Sequence, residues 1–320
     1  MALWDDELEA LRPQLREEAA AFLTTWTSPP ENPNLSVGER VAIARTERDG
    51  SISRSDKAVD RTIDGPGGPI RLRTFVPEHG GQIGAVFLHL HGGGWFIGSP
   101  EMTDLLNEMM ANTLNIAVVS VDYRLAPEHP YPAGPDDCEA VAVWLLEHAE
   151  AEFGSSRLLI GGESAGGHLS AVTLLRMRDR HDAIDRFIGA NLVFGVYDLG
   201  HTPSQRGIGI PQGTDILTVD GTAFFTELFT PGLTREERRD PEISPLYADL
   251  HDLPAALFTV GTHDHLLDDT LFLSSRWELA GNRTELLVYP DTPHGCIALP
   301  SVGAHWFPRM LDFFRGCIAD

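Results

Sequence analysis

Lysine is almost missing from this chain. Lys57 is the only one in 320 residues, and 24 basic side chains face 47 acidic ones for a formal charge of −23. So acidic a molecule is repelled by phosphates, which argues against nucleic acid as a partner and against stable association with anionic membranes. Cysteine is scarce too: Cys138, Cys296 and Cys317 are too few and too irregularly spaced for a disulfide framework or a zinc site, and they fit a reducing cytoplasm. No apolar run approaches a membrane span, and Met1 is followed by acidic Asp5, Asp6 and Glu7 where a signal peptide would be basic. The expectation is a soluble cytoplasmic protein. Internal repeats and low-complexity segments are absent, and 42% hydrophobic residues suffice for one large α/β core with an added cap.

What the chain does have is glycine in clusters that frame chemistry. Apolar residues over 157–161 spell a short strand and those over 168–175 a buried helix, so Gly162-Glu163-Ser164-Ala165-Gly166 lies on a strand-to-helix turn. A turn tight enough to present Ser164 Oγ brings positions 162 and 166 against the neighbouring strand or helix, where a side chain would collide. Upstream, a strand over 84–90 leads into His91-Gly92-Gly93-Gly94-Trp95. Consecutive glycines let backbone N–H groups approach a ligand. Gly93, Gly94 and Ala165 are the candidate donors to a developing oxyanion, with Gly92 shaping the turn.

A hydroxyl is a weak nucleophile at neutral pH, so Ser164 needs an imidazole base, and that base needs a carboxylate to fix its tautomer. A strand over 255–261 runs into Thr262-His263-Asp264-His265, and another over 285–289 runs into Asp291-Thr292-Pro293-His294-Gly295. Asp264 and His294 therefore fall past the carboxyl ends of strands, the edge of an open α/β sheet where ligands bind. Asp268, Asp269 and Asp291 are rival carboxylates; Asp264 is preferred because it comes first after its strand. The order Ser164, Asp264, His294 is that of an α/β-hydrolase. Activity is expected to rise from acidic pH as the base loses its proton.

On these residues the sequence resembles the hormone-sensitive-lipase-like family of α/β-hydrolase esterases. The His91 to Trp95 run and the serine turn match, as does the long stretch Asp122-Tyr123-Arg124-Leu125-Ala126-Pro127-Glu128-His129-Pro130-Tyr131-Pro132-Ala133. Asp264-His265-Leu266-Leu267-Asp268-Asp269 stands where the family usually has Asp-Pro-Leu-Arg-Asp-Glu, which implies Asp264 as the triad acid. Three positions depart from the pattern: Glu163 for aspartate, Cys296 for phenylalanine, and His265 for proline. The resemblance implies a serine carboxylesterase acting on short- to medium-chain acyl esters through an acyl-enzyme. It implies a small-molecule ester as partner, with no cofactor and no metal, and Trp95 and Phe96 are expected in the acyl pocket. Lactones, aryl esters, carbamates and acylated natural products suit the same chemistry. A non-catalytic receptor on this fold would not need His294, and a metal hydrolase built on His89, His91, His263 and His265 would leave the serine turn unexplained. The oligomeric state, a homodimer included, stays open.

The pattern divides the chain into N-terminal cap helices (1–50), a first core part (51–197), a cap insertion (198–246) rich in Phe224, Phe225, Leu228 and Phe229, and a second core part (247–320). Leu8, Leu11, Leu15, Ala19 and Phe22 mark an amphipathic helix over 5–25 that Pro13 kinks or starts. A proline-rich loop follows at 28–33, then Ser36 and Glu39 at capping-box spacing open a second helix. Strands are expected near 57–63, 69–76, 83–90, 116–121, 157–161, 189–195, 255–260 and 284–290. The first two should be antiparallel across Asp64-Gly65-Pro66-Gly67-Gly68 and the later ones parallel, giving a mostly parallel eight-stranded α/β-hydrolase sheet flanked by helices.

Overall fold

A computed structural model describes residues 3–25, 35–50, 52–213 and 216–320; the loop expected over 28–33 lies outside them. Eight strands form one sheet: β1 (Val59–Gly65), β2 (Gly68–Phe75), β3 (Val86–Leu90), β4 (Ala117–Asp122), β5 (Leu158–Glu163), β6 (Phe187–Val193), β7 (Ala256–Gly261) and β8 (Thr284–Tyr289). Their order across the sheet is β1-β2-β4-β3-β5-β6-β7-β8. β2 pairs antiparallel with both β1 and β4 while every later pairing is parallel, so β2 alone runs against the rest. All the expected strands are present. Their ends move by a few residues: β3 begins at Val86 rather than 83, and β6 ends at Val193 rather than 195.

The central strands are apolar throughout because both faces are covered. In β3, Leu88 and Leu90 point into a cluster with Leu145, Leu169 and Leu174 of helices α4 (Ala133–Phe153) and α5 (Ala165–Asp179). Phe87 points the other way, into a cluster with Met110 of α3 (Asp104–Leu114) and Phe314 of α8 (Pro300–Ala319). Leu273 and Trp277 of α7 (Leu267–Leu279) join the first layer.

Helix α1 (Asp6–Thr25) is continuous across Pro13. Its start is set by Asp5, whose Oδ1 accepts from Leu8 N at 2.9 Å, so Pro13 sits inside the helix and does not open it. Leu8, Leu15 and Ala19 are its buried stripe. Helix α2 (Val37–Gly50) opens with the expected box: Glu39 N donates to Ser36 Oγ at 3.3 Å and Ser36 N to Glu39 Oε2 at 2.8 Å. Among the described residues of 198–246 the α-helix is α6 (Val219–Phe229), capped by Thr218 Oγ1, which accepts from Gly221 N at 2.9 Å, beside short 3-10 turns at Ser204–Arg206, Glu237–Arg239 and Pro245–Tyr247.

Candidate active site

Ser164 occupies a turn that few residues other than glycine adopt, with φ 55° and ψ −117°. Such a conformation costs on the order of 1–3 kcal/mol and persists only where its surroundings hold it. Here Ser164 N donates to Val193 O at 2.9 Å, and the flanking glycines admit a close pass of β3. A Cβ on Gly162 would lie 2.0 Å from Leu90 O, and one on Gly166 1.8 Å from the same atom. The expected collision is therefore with the carbonyl that ends β3. Ala165 opens α5, so its N–H is among the donors that a helix leaves without an internal acceptor.

The glycine run after β3 folds beside that turn. Gly93 has φ +117°, and a Cβ there would lie 2.1 Å from Ile97 O. Its shape is held from outside by the 122–133 stretch: Tyr123 Oη donates to His91 O at 2.8 Å and its ring stacks on the His91 imidazole at 4.2 Å. Ala126 N reaches Trp95 O at 2.9 Å, and Arg124 grips Asp137 in a bidentate pair at 2.8 Å. His91 Nδ1 donates to Gly92 O at 2.7 Å, and burial drives this imidazole's pKa down to about 3, so it is neutral. Tyr123 and His91 thus position the turn, a role that sequence spacing did not reveal because it rests on contact between two loops.

At the far end of the sheet, Asp264 is fully buried and His294 nearly so. His294 Nδ1 lies 2.8 Å from Asp264 Oδ2, while Asp264 Oδ1 accepts from Leu266 N at 2.8 Å. A carboxylate on Nδ1 assigns the proton to that nitrogen and leaves the basic lone pair on Nε2. Phe194 braces the imidazole edge-on at 4.6 Å. The rival carboxylates are engaged elsewhere. Asp291 pairs with Arg12 and Arg16, Asp269 accepts from Tyr197 N, Asp198 N, Thr202 Oγ1 and Gln205 Nε2, and Asp268 accepts from Ser204 N.

One cavity of about 940 Å³ is lined by Gly92, Gly93, Gly94, Ser164 and His294 together. Phe96 is in its wall. Trp95 is not: it is 1% exposed and stands behind the wall, its indole stacked on Phe229 at 4.4 Å and donating to His168 Nδ1 at 3.1 Å. The tryptophan is core: its backbone has a positive φ of 61°, and its ring packs under α6 against Phe225 and Phe229. The wall also includes Phe22, Arg40 and Arg48 of α1 and α2, Phe224 and Phe225 of α6, and residues of the core loops such as Ile97, Met102 and Ile297. Of the departures, Glu163 meets His89 Nε2 at 3.3 Å and Cys296 is buried, its thiol pKa pushed up by burial. His89, His91, His263 and His265 form no metal-binding group among the described residues, where the cluster with ligand spacing is Asp5, Glu7 and His305.

This geometry defines an α/β-hydrolase, and residues 87–298 match the family described as "alpha/beta hydrolase fold". The chain belongs to the hormone-sensitive-lipase-like family of that fold. It is 34% identical over 249 residues to the carboxylic ester hydrolase LipN of Mycobacterium tuberculosis, covering 76% of this chain and 65% of LipN. To the carboxylesterase NlhH of the same organism it is 36% identical over 221 residues, 66% of each chain, so it spans just under two thirds of both relatives. A solved bacterial heroin esterase superposes with a TM-score of 0.84 at 27% identity, covering 96% of this chain and 99% of that one.

Proposed function

We propose that this protein hydrolyses carboxylic esters through an acyl-enzyme on Ser164. The observation that carries the reading is the 2.8 Å bond from His294 to Asp264 in a cavity that also opens on Ser164 and the glycine turn. His294 Nε2 takes the Ser164 proton as Oγ attacks the ester carbonyl, and Asp264 stabilises the imidazolium. N–H groups of Gly93, Gly94 and Ala165 receive the oxyanion, with Gly92 holding the turn; each such donor contributes about 3 kcal/mol of transition-state stabilisation. The alcohol leaves with the proton from His294, and water resolves the acyl-enzyme by the same steps.

Helices α1 and α2 and the 198–246 segment act as a cap over the cavity. Support comes from the wall residues they contribute and from the packing of Phe225 and Phe229 on Trp95. Among the described residues no helix is long and apolar enough to cross a membrane, and the three cysteines are free and buried, which suits a cytoplasmic enzyme. Hydrolysis of p-nitrophenyl esters from acetate to laurate tests the reading. Turnover highest on the short and medium chains and indifferent to a chelator is expected; no turnover of any ester, or loss of activity with the chelator, contradicts it.

A further inference from the structure

We infer that Arg40 makes the cavity selective for esters carrying a carboxylate on the part of the substrate that lies under α2. The inference rests on ester hydrolysis at Ser164 and adds the substrate class. Arg40 and Arg48, two helical turns apart on one face of α2, both line the cavity that holds Ser164 and His294. Many arginines elsewhere in this acid-rich chain are held by carboxylates, and Arg157, Arg186, Arg235 and Arg276 by backbone carbonyls. Arg45 on the same helix makes a bidentate pair with Glu128 at 2.8 Å, and Arg73, Arg124 and Arg176 are paired with Asp104, Asp137 and Asp136.

Arg40 differs. Its backbone N–H donates to Ser36 O at the start of the helix, but among the described residues its side chain makes no ion pair or hydrogen bond, and its Nε is buried without an acceptor. Its guanidinium lies over the Phe224 ring at 4.0 Å, which fixes the plane of the fork and leaves its N–H edge for a planar acceptor. The cavity's own carboxylates do not fill that place: Glu163 is engaged by His89, and Asp220 is exposed at the rim. Burial also pulls the Arg48 guanidinium pKa down, so this part of the wall is partly removed from water. A carboxylate is the anion a carboxylic ester carries most simply, as in the half-ester of a dicarboxylic acid.

The test compares monoethyl adipate with ethyl hexanoate, a pair differing in the terminal carboxylate, on the full chain by titration of released acid. In the wild-type protein the charged ester is expected to match or exceed the neutral one in kcat/KM. Arg40→Gln should lower the charged-to-neutral ratio about tenfold, through KM, and Arg40→Lys should restore part of it. An unchanged ratio overturns the inference. Calorimetric binding of adipate against uncharged adipamide to the wild-type protein needs neither variant nor turnover: tighter binding of adipate supports Arg40 as a carboxylate receptor, and equal binding overturns it. Failure to hydrolyse either ester would instead count against catalysis at Ser164, and the binding comparison would still judge Arg40.

Discussion

Leu90 O sits so close to Gly162 and Gly166 that a single methyl group decides whether the serine turn forms. Gly166→Ala is expected to cost about 3 kcal/mol or more, because the obstacle is backbone and cannot rotate away. Gly38→Ala, in α2 with nothing within 4 Å of its added Cβ, is expected to be neutral or to stabilise by up to about 1 kcal/mol. Denaturant midpoints of the two variants check this contrast, and equal destabilisation would contradict the steric account. Ser164→Ala adds no atoms, so its far-UV circular dichroism and midpoint should match wild type while kcat falls by about 10⁴-fold or more. Retained burst kinetics would remove Ser164 from its role.

Between elements, the informative contact is the one tying α1 to the loop that carries His294. Arg12 Nε and Arg16 Nε each lie 2.6 Å from Asp291 Oδ2, three positions before the imidazole, and Phe22 stands against Gly295. Burial pushes the Asp291 carboxyl pKa up, and the two guanidinia overcome that and hold it below the ordinary value. A depressed carboxylate stabilises above the unfolded pKa and loses that contribution as pH falls through the folded one, so the tether persists through mildly acid conditions. Asp291→Asn is expected to speed amide hydrogen exchange across 6–25 and to lower kcat severalfold; exchange unchanged in α1 would contradict it. This tether was not legible in the sequence, since 279 and 275 residues separate the partners. The strands were legible because short apolar runs bounded by turn residues are local signals. Their ends were less so: Ala85 is fully buried and its carbonyl accepts from Ala117 N at 3.1 Å, yet the first paired residue of β3 is Val86. Likewise hydropathy marks Trp95 and Phe96 alike, and only the chain path separates core from cavity wall.

At the scale of the whole molecule, two buried neutral histidines link stability to pH. His168 accepts from Trp95 on Nδ1 and meets Ile243 O at 2.8 Å through Nε2, and burial lowers its pKa to about 4. The unfolded chain takes up this proton near pH 6.5 while the native state refuses it until about 4, so the stability His168 confers is complete above 6.5 and is lost as pH falls through that window. The penalty of His168→Gln, read from denaturant midpoints, should therefore be larger at pH 7.5 than at pH 4.5, and an equal penalty would contradict the linkage. Both layers of the sheet serve to bring Ser164, Asp264 and His294, from distant parts of the chain, to one edge. Peptide mapping by mass spectrometry after treatment with an organophosphate tests that claim most directly. A single adduct on Ser164, formed in proportion to lost esterase activity and suppressed in His294→Ala, is the result this account predicts. An adduct on another residue, or activity that survives full labelling of Ser164, would contradict it.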